Sequence, residues 1–150
     1  MTSEAEESSA SVRIERTFSA PARDVFEAWT TEEMLRRWWH AEHEWETPHA
    51  EVDLRTGGTI RLVMRNPADG TDYGGRGQFI VIEPDRRLAF TWTWDDDPLA
   101  RRQLVEVEFI DHGERTHVVM THRGLPAAEE GDYREGWDLS FDNLEAALAA

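Results

Sequence analysis

Apolar and polar residues alternate in seven short stretches of the chain, and a period of two is typical of half-buried β-strands. The first predicted strand lies around residues 12–18, and the second ends at Val52 and Leu54. The others lie around residues 60–65, 77–82, 88–94, 105–109 and 118–122. Turn sequences separate the last six, for example Asn66-Pro67-Ala68-Asp69-Gly70. Because the connections between these strands are short, we predict an antiparallel meander rather than parallel strands with crossover helices.

Three helices are predicted by apolar residues at helical spacing. The first begins at Ser19-Ala20-Pro21, and the second begins at Thr30, which with Glu33 forms a capping-box pair. The last runs from about Asp132 to the end and carries one apolar stripe: Tyr133, Trp137, Phe141, Leu144 and Leu148. The element order is β-α-α followed by six strands and a helix, an α+β class. A sheet that curls around the last helix can enclose a cavity, the usual site for a small apolar ligand.

Composition excludes several functions. The 150 residues carry a formal net charge of −15, and cysteine and lysine are both absent. Disulfides, cysteine-based metal sites and Schiff-base or P-loop lysines are therefore excluded. The acidic balance argues against a nucleic-acid partner and against docking on anionic membranes. A GC-rich genome is the favoured explanation of this composition, and adaptation to high salt is the alternative.

The length fits one domain, which we place at residues 12–150. Residues 1–11 are rich in Ser, Glu and Ala without an apolar run, so we predict a disordered acidic tail and no secretory signal. No stretch approaches about 18 consecutive apolar residues. We therefore expect a cytoplasmic protein, either a monomer or a homodimer.

Short motifs run through the chain in a fixed order. They are Phe18-Ser19-Ala20-Pro21, Val25-Phe26, Trp38-Trp39, Asp53-Leu54-Arg55-Thr56-Gly57-Gly58, Asp69-Gly70, Arg87-Leu88, Phe90-Thr91-Trp92, Gly124-Leu125-Pro126 and Gly136-Trp137. In this order they resemble the activator of heat-shock protein 90 ATPase homologue (AHSA) family of the START-like, or SRPBCC, superfamily, which includes the birch-pollen allergen. The resemblance covers residues 12–148 and implies a helix-grip fold, a curved antiparallel sheet around a long C-terminal helix.

The resemblance is specific for a family and not for an activity. The family often places Gly-Pro after its paired tryptophans, whereas Trp39 is followed here by His40-Ala41. The eukaryotic chaperone activator resembles this chain only in its C-terminal domain. Its N-terminal domain, which contacts the chaperone, has no counterpart in these residues, so the family name alone does not assign the function.

Candidate ligand-binding residues are large side chains expected on the inner faces of the sheet and the last helix. They are Trp39, Met64, Phe79, Trp92, Trp94, Met120, His122, Tyr133, Trp137 and Phe141. Plain core packing is the alternative for each of them. His122 shares a strand face with Val118 and Met120, so it is the candidate acid or base. Its alternative is a buried histidine satisfied by hydrogen bonds.

The chain contains no nucleophile elbow, no phosphate-binding glycine loop and no cofactor motif, so we predict no cofactor. His40, His43 and His49 lie close together among glutamates, but zinc needs three or four well-spaced ligands. We interpret this segment as a solvated polar loop and predict no metal.

Three hypotheses remain. The first is a protein that binds a small hydrophobic or aromatic molecule in the cavity. The second is a polyketide cyclase or isomerase type of enzyme that uses a cavity histidine or acid. The third is an interaction protein that contacts a chaperone or another protein partner through an exposed apolar patch.

Overall fold

A computed structural model describes residues 10–149 of the chain. The strands are β1 (Ala10–Phe18), β2 (Glu46–Val52), β3 (Thr59–Asn66), β4 (Thr71–Glu83), β5 (Arg87–Trp94), β6 (Gln103–Asp111) and β7 (Thr116–Leu125). The helices are α1 (Ala22–Thr30), α2 (Glu32–Trp38) and α3 (Glu130–Ala149), the last preceded by a 3₁₀ turn, Ala127–Glu129. A disordered tail was predicted for residues 1–11. Residues 1–9 of it lie outside the described part of the chain.

The seven strands form one antiparallel sheet with the spatial order β1-β7-β6-β5-β4-β3-β2. Consecutive strands from β2 to β7 are neighbours, as the short turns predict, and β1 closes the order by pairing with β7. This curved sheet and its long C-terminal helix confirm the predicted α+β class and helix-grip fold.

Helix α3 buries the apolar stripe that its sequence carries. Trp137, Phe141 and Leu144 are buried, and Tyr133 and Leu148 pack against the core from partly buried positions. The ring of Phe141 meets that of Phe18 on β1 edge-on, with 5.7 Å between centroids. Side chains of α3, β1 and the two short helices therefore share one core.

Helix α1 ends differently from the prediction. The capping box at Thr30 and Glu33 is wrong, because Thr30 is the last residue of α1 and its hydroxyl donates to the Phe26 carbonyl oxygen at 2.9 Å. Thr31 precedes α2, and its hydroxyl likewise donates backwards, to the Glu27 carbonyl oxygen. Both hydroxyls are turned towards the preceding turn, and Thr31, the residue before α2, makes no side-chain hydrogen bond to the N-terminus of that helix.

No helix within residues 10–149 is long and apolar enough to cross a membrane.

Candidate functional site

A pocket with a volume of about 190 Å³ lies between helix α3 and the inner face of the sheet. Its lining residues come from β3, β5, β6, β7, α3 and the segment that follows α2. They are Trp39, His40, Ala41, Met64, Phe90, Trp92, Trp94, Val105, His122, Asp132, Tyr133, Gly136, Trp137 and Ser140. Most of these side chains are apolar or aromatic, so the pocket suits a mainly apolar molecule.

Three tryptophans form one side of the pocket. The Trp92 ring lies 5.3 Å from the Trp39 ring and 5.4 Å from the Trp94 ring, measured between centroids. The indole of Trp92 lies against Gly75 on the neighbouring strand β4, where a Cβ atom would come within 2.5 Å of it. Gly75 therefore leaves the space that this indole occupies.

Seven of the ten predicted ligand-binding residues line the pocket. They are Trp39, Met64, Trp92, Trp94, His122, Tyr133 and Trp137. The other three, Phe79, Met120 and Phe141, are buried in the core and are not among the lining residues. Alternation along a strand identifies the inner face, but it does not distinguish residues under the pocket from residues in the packed core.

A chain of hydrogen bonds runs along the pocket wall. The indole N–H of Trp137 donates to His122 Nδ1 at 3.0 Å, and His122 Nε2 lies 2.7 Å from Gln103 Oε1. The Gln103 amide nitrogen lies 3.2 Å from the Tyr133 hydroxyl, and the indole N–H of Trp94 donates to the same hydroxyl at 2.8 Å. Four of these five side chains line the pocket, and Gln103 is buried behind it.

His122 is held as a neutral imidazole by its partners. An indole N–H only donates, so Nδ1 must carry a lone pair and Nε2 must carry the proton. Burial lowers the pKa of His122 to about 3, which keeps the ring neutral. Because both ring nitrogens have protein partners, His122 holds Trp137 and Gln103 in place and has no free nitrogen for acid–base chemistry.

His40, another buried residue of the pocket lining, carries its proton on the other ring nitrogen. The Thr47 hydroxyl donates to the Trp39 carbonyl oxygen, so the proton between Thr47 and His40, 3.1 Å apart, belongs to Nδ1 of His40. Nε2 then carries a lone pair, and no side chain or backbone group within residues 10–149 bonds to it. It is not one of the buried unpartnered atoms, so a ligand in the pocket can reach it. Burial first, and then the nearby His43, lower the pKa of His40 and favour this neutral form.

Helix α3 holds the backbone at His40. The Ser140 hydroxyl and the Asn143 amide both donate to the His40 carbonyl oxygen, at 2.7 and 3.3 Å. The solvated loop predicted for this segment is therefore wrong at two histidines. His40 is buried, and His49 lies within strand β2, while His43 is exposed.

Metal ligands are not brought together in the described part of the chain. Residues 10–149 contain no group of three or more His, Asp or Glu side chains placed to hold a metal ion. His43 contacts Asn143 and Asp142 on α3, and His49 contacts Glu51.

Gln103 was not among the predicted site residues, and His40 was predicted to lie in a solvated loop. Gln103 precedes the alternating apolar run of β6 and sits on its buried side, and that register was the signal that could have identified it. His40 stands where the family resemblance implies glycine, and that difference was the signal available in the sequence. Its unpartnered lone pair follows only from the Thr47 contact, which pattern analysis does not show.

Comparison with known proteins agrees with this architecture. Residues 19–149 match the family model described as Activator of Hsp90 ATPase homolog 1-like protein. The chain is 25% identical over 130 residues to the mouse activator of 90 kDa heat shock protein ATPase homolog 1, a match that covers 87% of this chain and 34% of that protein. It therefore spans about a third of the length of this relative.

Solved bacterial structures have the same fold over nearly their whole length. A crystal structure of a Chromobacterium violaceum protein superposes with a TM-score of 0.85 at 21% identity, covering 93% of this chain and 98% of that one. The AHSA1 protein from Silicibacter pomeroyi gives a TM-score of 0.80 at 29% identity, with the same shares covered.

Proposed function

The chain belongs to the family of activator of Hsp90 ATPase homolog 1-like proteins, and we propose that this member binds a small aromatic molecule in the pocket between the sheet and helix α3. The observation that carries the proposal is the concave aromatic pocket itself, lined by Trp39, Trp92, Trp94 and Trp137. Aromatic rings gain additional stabilisation from edge-to-face and offset stacking, beyond the burial of their area.

The pocket volume limits the size of the ligand. An apolar cavity of about 150 Å³ is known to accommodate benzene. The pocket here has about 190 Å³, which corresponds to one aromatic ring with a short substituent. Long-chain fatty acids and sterols are too large for this space without rearrangement of the wall.

Ligand binding is tested by thermal unfolding in the presence of monocyclic aromatics such as toluene and acetophenone. A ligand at a hundred times its Kd stabilises the native state by about 2.7 kcal/mol. We expect a dose-dependent rise in Tm, weakened by Trp94→Leu in the pocket. Trp45→Leu is the matched control, because Trp45 stacks on Tyr73 and does not line the pocket. No shift with any monocyclic aromatic would contradict the proposal.

A second candidate function is acid–base catalysis on a bound carbonyl compound, and the free Nε2 of His40 favours it. His122 is not suited to that role, because both of its nitrogens are engaged. In this reaction His40 Nε2 takes a proton from the carbon next to the carbonyl group, and solvent water gives a proton to the carbonyl oxygen, so that the bound ketone becomes an enol.

Deuterium exchange tests this second function. In D₂O, the methyl signal of acetophenone should disappear faster with the protein than without it. His40→Gln should abolish the acceleration, and His112→Gln, a change at an exposed histidine that does not line the pocket, should leave it intact. Equal exchange with and without protein would contradict catalysis while leaving ligand binding untouched.

The interaction hypothesis has less support. It predicts an exposed apolar patch, whereas the large apolar side chains exposed in residues 10–149 belong to separate segments. They are Leu54, Ile80, Leu99 and Ile110. The ATPase activation named for the mouse relative concerns a protein of which this chain matches about a third.

A further inference from the structure

We propose that the hydroxyl of Tyr133 donates a hydrogen bond to an uncharged oxygen acceptor of the ligand, so that the pocket selects aromatic carbonyl compounds over aromatic hydrocarbons and carboxylates. This inference rests on the proposed ligand-binding function and specifies its chemistry. It is carried by the hydrogen-bond chain on the pocket wall, whose direction follows from two donors that cannot be reversed.

The first fixed donor is the indole N–H of Trp137. It donates to His122 Nδ1, so His122 must donate from Nε2 to Gln103. The Gln103 atom facing His122 is therefore the amide oxygen, and the opposite end of the same amide, its NH₂ group, faces Tyr133. These hydrogen-bond partners therefore determine which end of the Gln103 amide is the oxygen and which is the nitrogen.

The second fixed donor is the indole N–H of Trp94. It meets the Tyr133 oxygen at 2.8 Å, in addition to the Gln103 NH₂ group at 3.2 Å. A phenol oxygen has two acceptor positions and one proton. Two N–H donors fill both acceptor positions, so the single remaining hydrogen bond of Tyr133 is one that its own O–H donates.

The O–H proton of Tyr133 has no acceptor within residues 10–149. Tyr133 lines the pocket, so a ligand oxygen there can supply the acceptor. Burial raises the pKa of Tyr133, against the lowering effect of its two accepted hydrogen bonds. The phenol therefore keeps its proton near neutral pH and remains a donor.

The charges around the pocket decide which oxygen fits. Among the lining residues of the described part there is no arginine, and Asp132 is the one acidic side chain. His40 and His122 are neutral for the reasons given above. Arg101 lies near enough to Tyr133 to lower its pKa, but it is outside the pocket lining and is already paired with Asp97. A carboxylate would therefore lose its hydration without gaining an unpaired cation, which is costly in an apolar site. A ketone or aldehyde oxygen needs only the one donor that Tyr133 offers.

The test compares three probes of similar shape: acetophenone, α-methylstyrene, in which a CH₂ group replaces the carbonyl oxygen, and benzoate. Dissociation constants are measured by titration calorimetry for the wild type, Tyr133→Phe and Tyr73→Phe. Tyr73 is the other tyrosine of the chain and does not line the pocket. One neutral hydrogen bond corresponds to about a three- to tenfold change in affinity.

We expect wild type and Tyr73→Phe to bind acetophenone about three- to tenfold more tightly than α-methylstyrene, a difference that Tyr133→Phe removes. Benzoate should bind most weakly. If Tyr133→Phe does not fold, the carbonyl ¹³C resonance of acetophenone bound to wild type is the second test. A hydrogen bond donated to the carbonyl oxygen should move this resonance downfield. Equal binding of the two neutral probes with an unmoved ¹³C resonance would overturn this inference alone. If no probe binds the folded wild type, the proposed function fails and the inference fails with it.

Discussion

The stability of the protein should depend on pH through His122, which is 2% exposed. The informative change is His122→Gln, which removes the titrating group. An unfolded chain protonates this histidine below a pKa of about 6.5, whereas burial lowers its folded-state pKa to about 3. Between these values the unfolded state binds more protons than the native state, so acid favours unfolding.

The size of the effect follows from the two pKa values. The contribution of His122 is fully present above pH 6.5 and is lost progressively as the pH falls towards 3. At pH 5 the unfolded state has gained nearly one proton and the native state almost none, which corresponds to a loss of about 2 kcal/mol relative to pH 8. His40, whose pKa is also lowered, adds to the wild-type loss in the same direction.

The assay is urea unfolding followed by tryptophan fluorescence between pH 5 and pH 8, with the free energy of unfolding extrapolated to water. The wild type should lose about 2 kcal/mol more than His122→Gln over this range. The control is His112→Gln, which changes an exposed histidine and should keep the wild-type pH dependence. If His122→Gln loses stability in parallel with the wild type, then His122 is not held neutral and the assigned directions of the hydrogen-bond chain are wrong.

Two further predictions concern packing. Gly75→Ala should destabilise the fold by about 1–3 kcal/mol in urea unfolding and weaken aromatic binding, because the new Cβ meets the Trp92 indole. Gly131→Ala, where space is open, should be neutral or stabilising by up to about 1 kcal/mol. Equal effects of the two changes on stability would refute the contact between Gly75 and Trp92. Phe141→Ala, at a fully buried position, should lower the free energy of unfolding by about 3–5 kcal/mol. Leu99→Ala, at a 71% exposed position, should change it by less than about 0.5 kcal/mol. A loss below about 1 kcal/mol for Phe141→Ala would contradict the placement of this ring in the core.

Strand periodicity was sufficient to predict an antiparallel sheet, because the sheet buries one face, and the helix-grip arrangement was implied by the motif resemblance. The face of β7 that carries Val118, Met120 and His122 is buried as the alternation predicts. Strand β4 was predicted from residue 77 but begins at Thr71. Its early part contains glycines with little strand preference, and pairing with both β3 and β5 overrides that preference.

Seven of the pocket-lining residues could be predicted from the sequence, but the hydrogen bonds that set their chemistry could not. Alternation and helical spacing brought His122, Tyr133 and Trp137 to one cavity. Their protonation states depend on Gln103, a residue 19 positions from His122 and 30 from Tyr133. Such contacts depend on the register of the strands and on where α3 packs against the sheet. Local sequence patterns do not specify either of these.

The indole N–H resonances of the seven tryptophans offer the most direct test of aromatic binding in the pocket. A two-dimensional ¹H–¹⁵N spectrum of the full chain, assigned by single Trp→Phe variants, would be recorded during titration with acetophenone. Aromatic binding in the pocket should give saturable shifts at Trp92 and Trp94, on the pocket wall, and an unmoved signal from Trp45 outside it. Signals that stay fixed at Trp92 and Trp94, or that move no more than that of Trp45, would contradict it.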